Sequence, residues 1–145
     1  MNNFIFATII LAMISMVNAK NAYMPCVTIY PSNTLSLVTL SPDPVAGKPY
    51  DYTIYTVLDK DVTSGDLLEV DIVDDKSNPL SDPFTMDICS STGIKCPIKA
   101  LTLIKLSTKV PIPATLPTAY HLIVTITDPN NKTNPLACAY SYPSK

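Results

Sequence analysis

Fourteen prolines limit the regular structures that this chain can form, and all of them lie after Ala19. They separate short apolar runs that are rich in Val, Ile and Leu. Proline breaks the interior of a helix, whereas β-branched residues favour strands. The pattern therefore indicates a chain of short strands and argues against helices.

The first 19 residues differ from the rest of the chain. An apolar run of 14 residues covers positions 4–17, and a small-residue cleavage pattern ends at Ala19. This run is shorter than the roughly 20 residues that span a bilayer. The sequence therefore predicts a secretory signal peptide at residues 1–19, cut before Lys20. Removing 19 residues from 145 leaves 126, enough for one domain at residues 20–145 and too few for two.

Alternation of apolar and polar residues predicts the strands. It is clearest over residues 50–58, 66–73 and 120–127, and weaker over residues 26–30, 35–40, 100–106 and 136–142. No inner face can be assigned in residues 100–106, because the alternation fails at Leu103 and Ile104. About seven short strands with no helical period predict an all-β fold, an antiparallel two-sheet sandwich, with a barrel as the alternative. The side chains predicted to face inward from two of these strands are Leu68, Val70, Ile72, Tyr120, Leu122, Val124 and Ile126.

The predicted mature chain has four cysteines, at positions 26, 89, 96 and 138. An even number in a small exported protein indicates two disulfides, and three pairings are possible. The residues between Cys89 and Cys96 are turn formers, so these two could close on each other and leave Cys26 to pair with Cys138. No metal is expected, because the spacing lacks a close Cys pair and the only histidine, His121, lies in an alternating strand.

The charge balance and the scarcity of catalytic side chains exclude several function classes. Ten lysines and twelve acids give a net charge of −2, whereas nucleic-acid binders are usually basic, so no nucleic-acid partner is expected. His121 is predicted to face solvent, and the isolated Gly47, Gly65 and Gly93 form no phosphate-binding loop. We therefore expect neither an enzyme nor a bound cofactor.

A basic stretch interrupts this acidic sequence. Four lysines and no acid occur in residues 95–109. Such a stretch would suit docking on anionic lipid headgroups, although lysines that protect strand edges give the same pattern. The candidate membrane-docking residues are Lys95, Lys99, Lys105 and Lys109.

A proline-rich segment, residues 110–117, follows the basic stretch. Its three prolines alternate with Val110, Ile112 and Leu116, and proline cannot donate to a central strand pairing. The segment therefore belongs at a sheet edge. Its apolar side chains either fold inward and protect that edge or border an apolar cavity that receives a small molecule.

Residues 128–135 are turn formers between the last two predicted strands, which indicates a hairpin tip. Asn131, Lys132 and Thr133 form a glycosylation sequon on this tip. The sequence therefore predicts a glycan at Asn131.

The order and spacing of these elements resemble the ML domain family, from Cys26 to Tyr142. This family includes the MD-2 proteins, the Niemann-Pick C2 cholesterol-binding proteins and the phosphatidylglycerol/phosphatidylinositol transfer proteins. The resemblance is closest to the transfer proteins, because of residues 40–44 and Gly47. The absence of cysteine in residues 42–47, where Niemann-Pick C2-like members have a further disulfide, argues against sterol specificity. The residues that carry the resemblance are Cys89, Cys96, Pro97, Ile98, Lys99, the proline-rich segment, Tyr120, Asp128 and Cys138.

The resemblance implies an immunoglobulin-like sandwich whose sheets part to admit lipid tails, with no catalysis. It implies the disulfides Cys26–Cys138 and Cys89–Cys96. The inward aliphatic residues would line the cavity, and the proline-rich segment with Tyr120 would stand near its opening.

The function expected from this resemblance is phospholipid transfer between membranes by a monomer in the secretory pathway, extracellular or endolysosomal. Its ligand would be phosphatidylglycerol or phosphatidylinositol. A lipid-recognition adaptor or sterol binder of the same fold, and a secreted adhesion or structural sandwich with a filled core, are the alternatives.

Overall fold

The structure is a computed structural model, and it describes residues 23–26, 43–131 and 134–141. The predicted signal peptide, most of the predicted strand at residues 26–30 and all of the one at 35–40 lie outside the described residues. Among those described, no helix is long and apolar enough to cross a membrane. The strands are β1 (Tyr23–Pro25), β2 (Tyr50–Val57), β3 (Leu67–Asp74), β4 (Phe84–Asp87), β5 (Leu103–Val110), β6 (Tyr120–Thr127) and β7 (Ala137–Ser141). A short 3-10 helix, Ile88–Ser90, follows β4.

The strands form two sheets, and every pairing between them is antiparallel. The larger sheet has the order β1-β7-β6-β3-β4, and the smaller one pairs β2 with β5. Buried aliphatic side chains from both sheets form one core. The prediction of an all-β, antiparallel two-sheet sandwich is therefore confirmed, and the barrel alternative is wrong.

The register of the large sheet places its apolar residues on one face. Val124, in the central strand β6, lies opposite Val70 of β3 and Ala139 of β7. All three side chains are buried. The neighbouring residue Ile123 points to the outer face of the same strand and is only half-buried. Alternation along a strand thus separates the core face from the outer face.

Three strands differ from the sequence prediction. β1 spans Tyr23–Pro25, before the strand predicted at residues 26–30. β5 spans Leu103–Val110 instead of residues 100–106. The sequence pattern was misleading here because the apolar Leu103 faces solvent, next to the inward-facing Ile104. A turn precedes it, in which the amide of Thr102 donates to the carbonyl oxygen of Lys99 (3.3 Å). β4 was not predicted, since Phe84 and Met86 alternate with Thr85 and Asp87 over only four residues, the shortest alternation that indicates a strand.

The two disulfides are Cys26–Cys138 and Cys89–Cys96, the pairing that the resemblance implied. The first closes a sequence separation of 112 residues and joins the end of β1 to β7. The second closes a separation of 7 residues around the loop after the 3-10 helix. One disulfide therefore fixes the edge of the large sheet, and the other fixes a single loop.

The turn after β3 is held by one carboxylate. Asp74 accepts hydrogen bonds from the backbone amides of Lys76 (2.9 Å) and Asn78 (2.8 Å). The side-chain amide of Asn78 donates a third, at 2.8 Å. These hydrogen bonds, that from the Asn78 side chain most of all, hold the pKa of Asp74 below its ordinary value.

Asp74→Ala is expected to destabilise the protein at neutral pH, and the difference from wild type should shrink as the pH falls. A lowered folded-state pKa contributes stability that is complete above the unfolded value of about 3.9. That contribution is lost as the pH falls from there through the lower folded-state pKa. Urea unfolding from pH 7 to pH 2 measures it. Asp74→Asn, which cannot ionise, should lose the same pH dependence, and a wild-type profile in both variants would contradict the assignment.

Candidate functional site

The interior between the sheets is the candidate binding site, and β3 and β6 supply one continuous aliphatic surface to it. The register pairs Leu68 with Ile126, Val70 with Val124, and Ile72 with Leu122. All six of these predicted site residues are buried on the inner face. Opposite them, the small sheet contributes Ile54, Ile104 and Leu106. The structure therefore brings these six together on a surface that only apolar groups would contact favourably.

The proline-rich segment does not present its apolar side chains to solvent. Val110 ends β5 opposite Tyr50, and both Val110 and Ile112 belong to the core. Leu116 and Tyr120 are half-buried and pack against it. Val110 and Ile112 therefore fold inward, which is the first of the two alternatives for this segment, whereas Leu116 and Tyr120 lie at the margin of the core.

Residues 43–48 lie against the proline-rich segment at this end of the sandwich. The amide of Gly47 donates to the carbonyl oxygen of Pro113 at 2.8 Å, and Gly47 has a φ of +72° that glycine adopts without strain. Burial raises the pKa of the Tyr120 phenol, and the carboxylate of Asp43 raises it further. The Asp43 carboxylate and the Tyr120 phenol thus interact electrostatically at the margin of the core.

Sequence reasoning missed a group of tyrosines inside the sandwich. The Tyr52 ring lies between those of Tyr50 and Tyr23, with centroid distances of 5.5 and 6.1 Å. Burial raises the pKa of Tyr52 far above its ordinary range, and the Tyr23 phenol reinforces the shift. The alternation in residues 50–58 places Tyr50 and Tyr52 on the same face of the strand. Nothing local indicated Tyr23, which reaches them only because β1 pairs with β7.

A buried hydroxyl on β2 adds to this polar part of the interior. Thr56 is almost completely buried, and among the described residues its Oγ1 has no hydrogen-bond partner. A buried hydroxyl without a partner costs free energy. The interior is therefore apolar along β3 and β6 and carries hydroxyl groups on the small sheet and at the β1–β7 edge of the large one.

The four lysines of the basic stretch are exposed but do not form one free basic face. The Lys99 ammonium contacts the Asp61 carboxylate at 2.7 Å, and that of Lys109 contacts Asp51 at 3.0 Å. Lys105 lies over the ring of Tyr55, 5.7 Å from its centroid. Lys95 lies in the loop before β5, whereas Lys105 and Lys109 lie on the outer face of the small sheet. Two of the four charges are thus paired with acids.

The remaining predicted residues lie on the surface or outer face. Asn131 is exposed, and its amide donates to the carbonyl oxygen of Asp128 at 2.9 Å. His121 is half-buried on the outer face of β6, opposite Val73, and not fully solvent-facing as predicted. Within the described ranges, no cluster of three or more His, Cys, Asp or Glu residues is placed to hold a metal ion.

Two open pockets lie on outer surfaces, not between the sheets. One of about 270 Å³ lies on the small sheet around Thr53 and Ser107. The other, of about 600 Å³, lies beside the turn after β3, around Asp71 and Leu80. Burial raises the pKa of Asp71, and the Glu69 carboxylate adds to the shift. Neither pocket contains any of the predicted aliphatic site residues.

Comparison with known proteins gives one family and two similar structures. The family model described as ML domain (E1_DerP2_DerF2) matches residues 20–140. A search of curated protein sequences finds no match. The chain is similar to a Niemann-Pick type C2 protein from the Japanese carpenter ant, with 16% identity, a TM-score of 0.59, and 83% of this chain and 96% of that chain covered.

The second similar structure is chicken MD-1 complexed with lipid IVa. Identity is 16% and the TM-score is 0.54, over 86% of this chain and 88% of that chain. At this level of identity the similarity concerns the fold. It confirms the immunoglobulin-like sandwich.

Proposed function

Because the chain belongs to the ML domain family, we propose that it is a secreted lipid-binding protein that takes up a phospholipid between its two sheets. The aliphatic surface formed by β3 and β6 carries this proposal, since it is the largest set of predicted site residues that lies together. The tails would lie against this surface and hold the sheets further apart than they are without ligand. The headgroup would remain near the core margin at Leu116 and Tyr120.

The physical basis is the transfer of methylene groups out of water. Each buried methylene contributes roughly 0.8 kcal/mol, so shielding two tails makes an aqueous carrier state accessible. The buried hydroxyl of Thr56 supports the same site, because an ester oxygen of the ligand would give it the partner that it lacks among the described residues.

The finer part of the proposal is transfer of phosphatidylglycerol or phosphatidylinositol between membranes. It is supported by the resemblance of residues 40–44 and Gly47 to transfer proteins. Secretion is supported by the predicted signal peptide and by the two disulfides, which persist in oxidising compartments. We propose no catalytic step and no cofactor.

Lipid load and transfer are tested on the protein purified from a secreting eukaryotic host. Native mass spectrometry should show a mass increment equal to one phospholipid, and dissociation of the complex identifies the headgroup. Fluorescent phosphatidylglycerol should move between vesicles faster with the protein than by spontaneous exchange. Lipid-free protein with no transfer after incubation with either phospholipid would contradict the proposal and favour a filled-core sandwich.

A lipid-presenting adaptor is the second candidate, because the similar chicken protein was solved in complex with lipid IVa. An adaptor would hold its lipid and present it to a receptor. A stable one-to-one lipid complex that does not accelerate transfer in the same vesicle assay would favour this candidate.

A further inference from the structure

Leu101 occupies a position that folding alone does not explain. It lies in the Lys99–Thr102 turn with a φ of +62°, and its amide donates to the carbonyl oxygen of Leu58 at 2.7 Å. Glycine and asparagine are the residues that tolerate this left-handed conformation, whereas a bulky side chain is strained there. The Leu101 side chain is nevertheless 78% exposed, so burial in the core does not offset the strain. Backbone strain of this kind often marks a functional position.

Two further exposed apolar residues lie beside this turn. Leu103 begins β5 directly opposite Val57, the last residue of β2, and they are 66% and 40% exposed. Leu101, Leu103 and Val57, which we call the apolar tip, are three of the five large apolar side chains exposed among the described residues. The apolar tip lies at the end of the small sheet opposite to Val110.

Positive charge accompanies the apolar tip. Lys105 is the next outward-facing residue after Leu103, Lys99 begins the turn, and Lys60 follows β2. Asp59 and Asp61 are also present, so the local balance is three lysines against two acids on a chain whose net charge is −2. This local excess of positive charge is complementary to an anionic surface.

The size of the apolar tip excludes a stable protein interface as its main use. Three side chains expose far less than the roughly 800 Å² that each partner of a standard interface buries. Exposed leucines bordered by lysines suit insertion among lipid headgroups, where the apolar side chains are buried and the ammonium groups stay at the phosphates.

We propose that the apolar tip docks this protein on anionic lipid surfaces through Leu101, Leu103 and Val57, with Lys105 at the phosphates. This inference rests on the proposed function only in that a carrier must meet a membrane, and it does not depend on where the ligand enters.

The test is cosedimentation of the full mature protein with vesicles of phosphatidylcholine alone or with 30% phosphatidylglycerol added. Wild type should bind the anionic vesicles more tightly than the neutral ones. The double variant Leu101→Asn, Leu103→Thr should bind them at least tenfold more weakly, because the two leucines can no longer be buried. Asn suits the left-handed position and Thr suits a strand, so the variant should fold with an unfolding temperature at or above that of wild type.

Matched controls separate this site from nonspecific adsorption. Val45→Thr removes another exposed apolar side chain and should leave vesicle binding unchanged, whereas equal losses in both variants would overturn the proposal. Lys105→Gln should weaken binding to the anionic vesicles only, and Lys48→Gln should not. Wild-type binding by the double variant would also overturn it, as would a dimer of the wild type that the double variant loses.

Native mass spectrometry keeps this proposal distinct from the proposed function. A double variant that still contains lipid but no longer sediments with vesicles supports docking by the apolar tip. A wild type that contains no lipid yet binds vesicles through Leu101 and Leu103 supports docking while contradicting lipid carriage.

Discussion

Replacing Cys26 and Cys138 together by serine is expected to lower the free energy of unfolding by about 5 kcal/mol. The disulfide closes a sequence separation of 112 residues, and in the chain-entropy account a crosslink stabilises more as the loop it closes becomes longer. It also joins β1 to β7 at the edge of the large sheet. Since small domains are stable by only about 5–15 kcal/mol, the variant should be close to unfolded at 37 °C.

The second disulfide provides a matched control. Replacing Cys89 and Cys96 by serine removes a crosslink over only 7 residues and should cost about 2.5 kcal/mol. Guanidinium unfolding of both double variants, followed by circular dichroism, gives the two values. Equal losses, or a larger loss for the short loop, would show that local contacts of the Cys89–Cys96 loop outweigh the long-range crosslink.

Alternation predicted the inner faces of β3 and β6, because each of these strands has one buried side and one more exposed side. Leu68 is buried and its neighbour Leu67 is not, although both are leucine, and only the period of two distinguishes them. β4 was not predicted, because its alternation covers only four residues and none of them is fully buried. The bounds of β5 were predicted wrongly, because Leu103 is exposed although a leucine at that position resembles a core residue in the sequence.

Long-range pairings explain what the sequence could not show about the site. The ion pair between Lys109 and Asp51 exists because β5 lies beside β2, and the charge runs in the sequence give no sign of it. Tyr23 meets Tyr52 for a similar reason, through sheet pairing and packing between residues far apart in the chain. The aliphatic surface was predictable because its members depend only on the face of their own strand.

Val124→Phe is expected to reduce lipid load at least tenfold if the interior is a lipid site. Val124 lies in the central strand of the large sheet and faces the interior, so the larger ring would occupy space that a lipid tail needs. Displacing two methylenes at roughly 0.8 kcal/mol each already exceeds the 1.4 kcal/mol that corresponds to a factor of ten. Native mass spectrometry and the phosphatidylglycerol transfer assay measure the loss.

The same variant distinguishes a lipid site from a filled core through the effect of added lipid on its stability. Without ligand the interior is packed around Val124, so overpacking costs about 1–3 kcal/mol in either case. In a lipid carrier, added phosphatidylglycerol should raise the unfolding temperature of wild type and raise that of the variant much less, whereas in a filled core it should raise neither. Ile123→Phe is the control, since Ile123 points to the outer face of the same strand and its replacement should leave lipid load unchanged. A Val124→Phe protein that is clearly destabilised and carries as much lipid as wild type would move the binding site away from the β3–β6 surface.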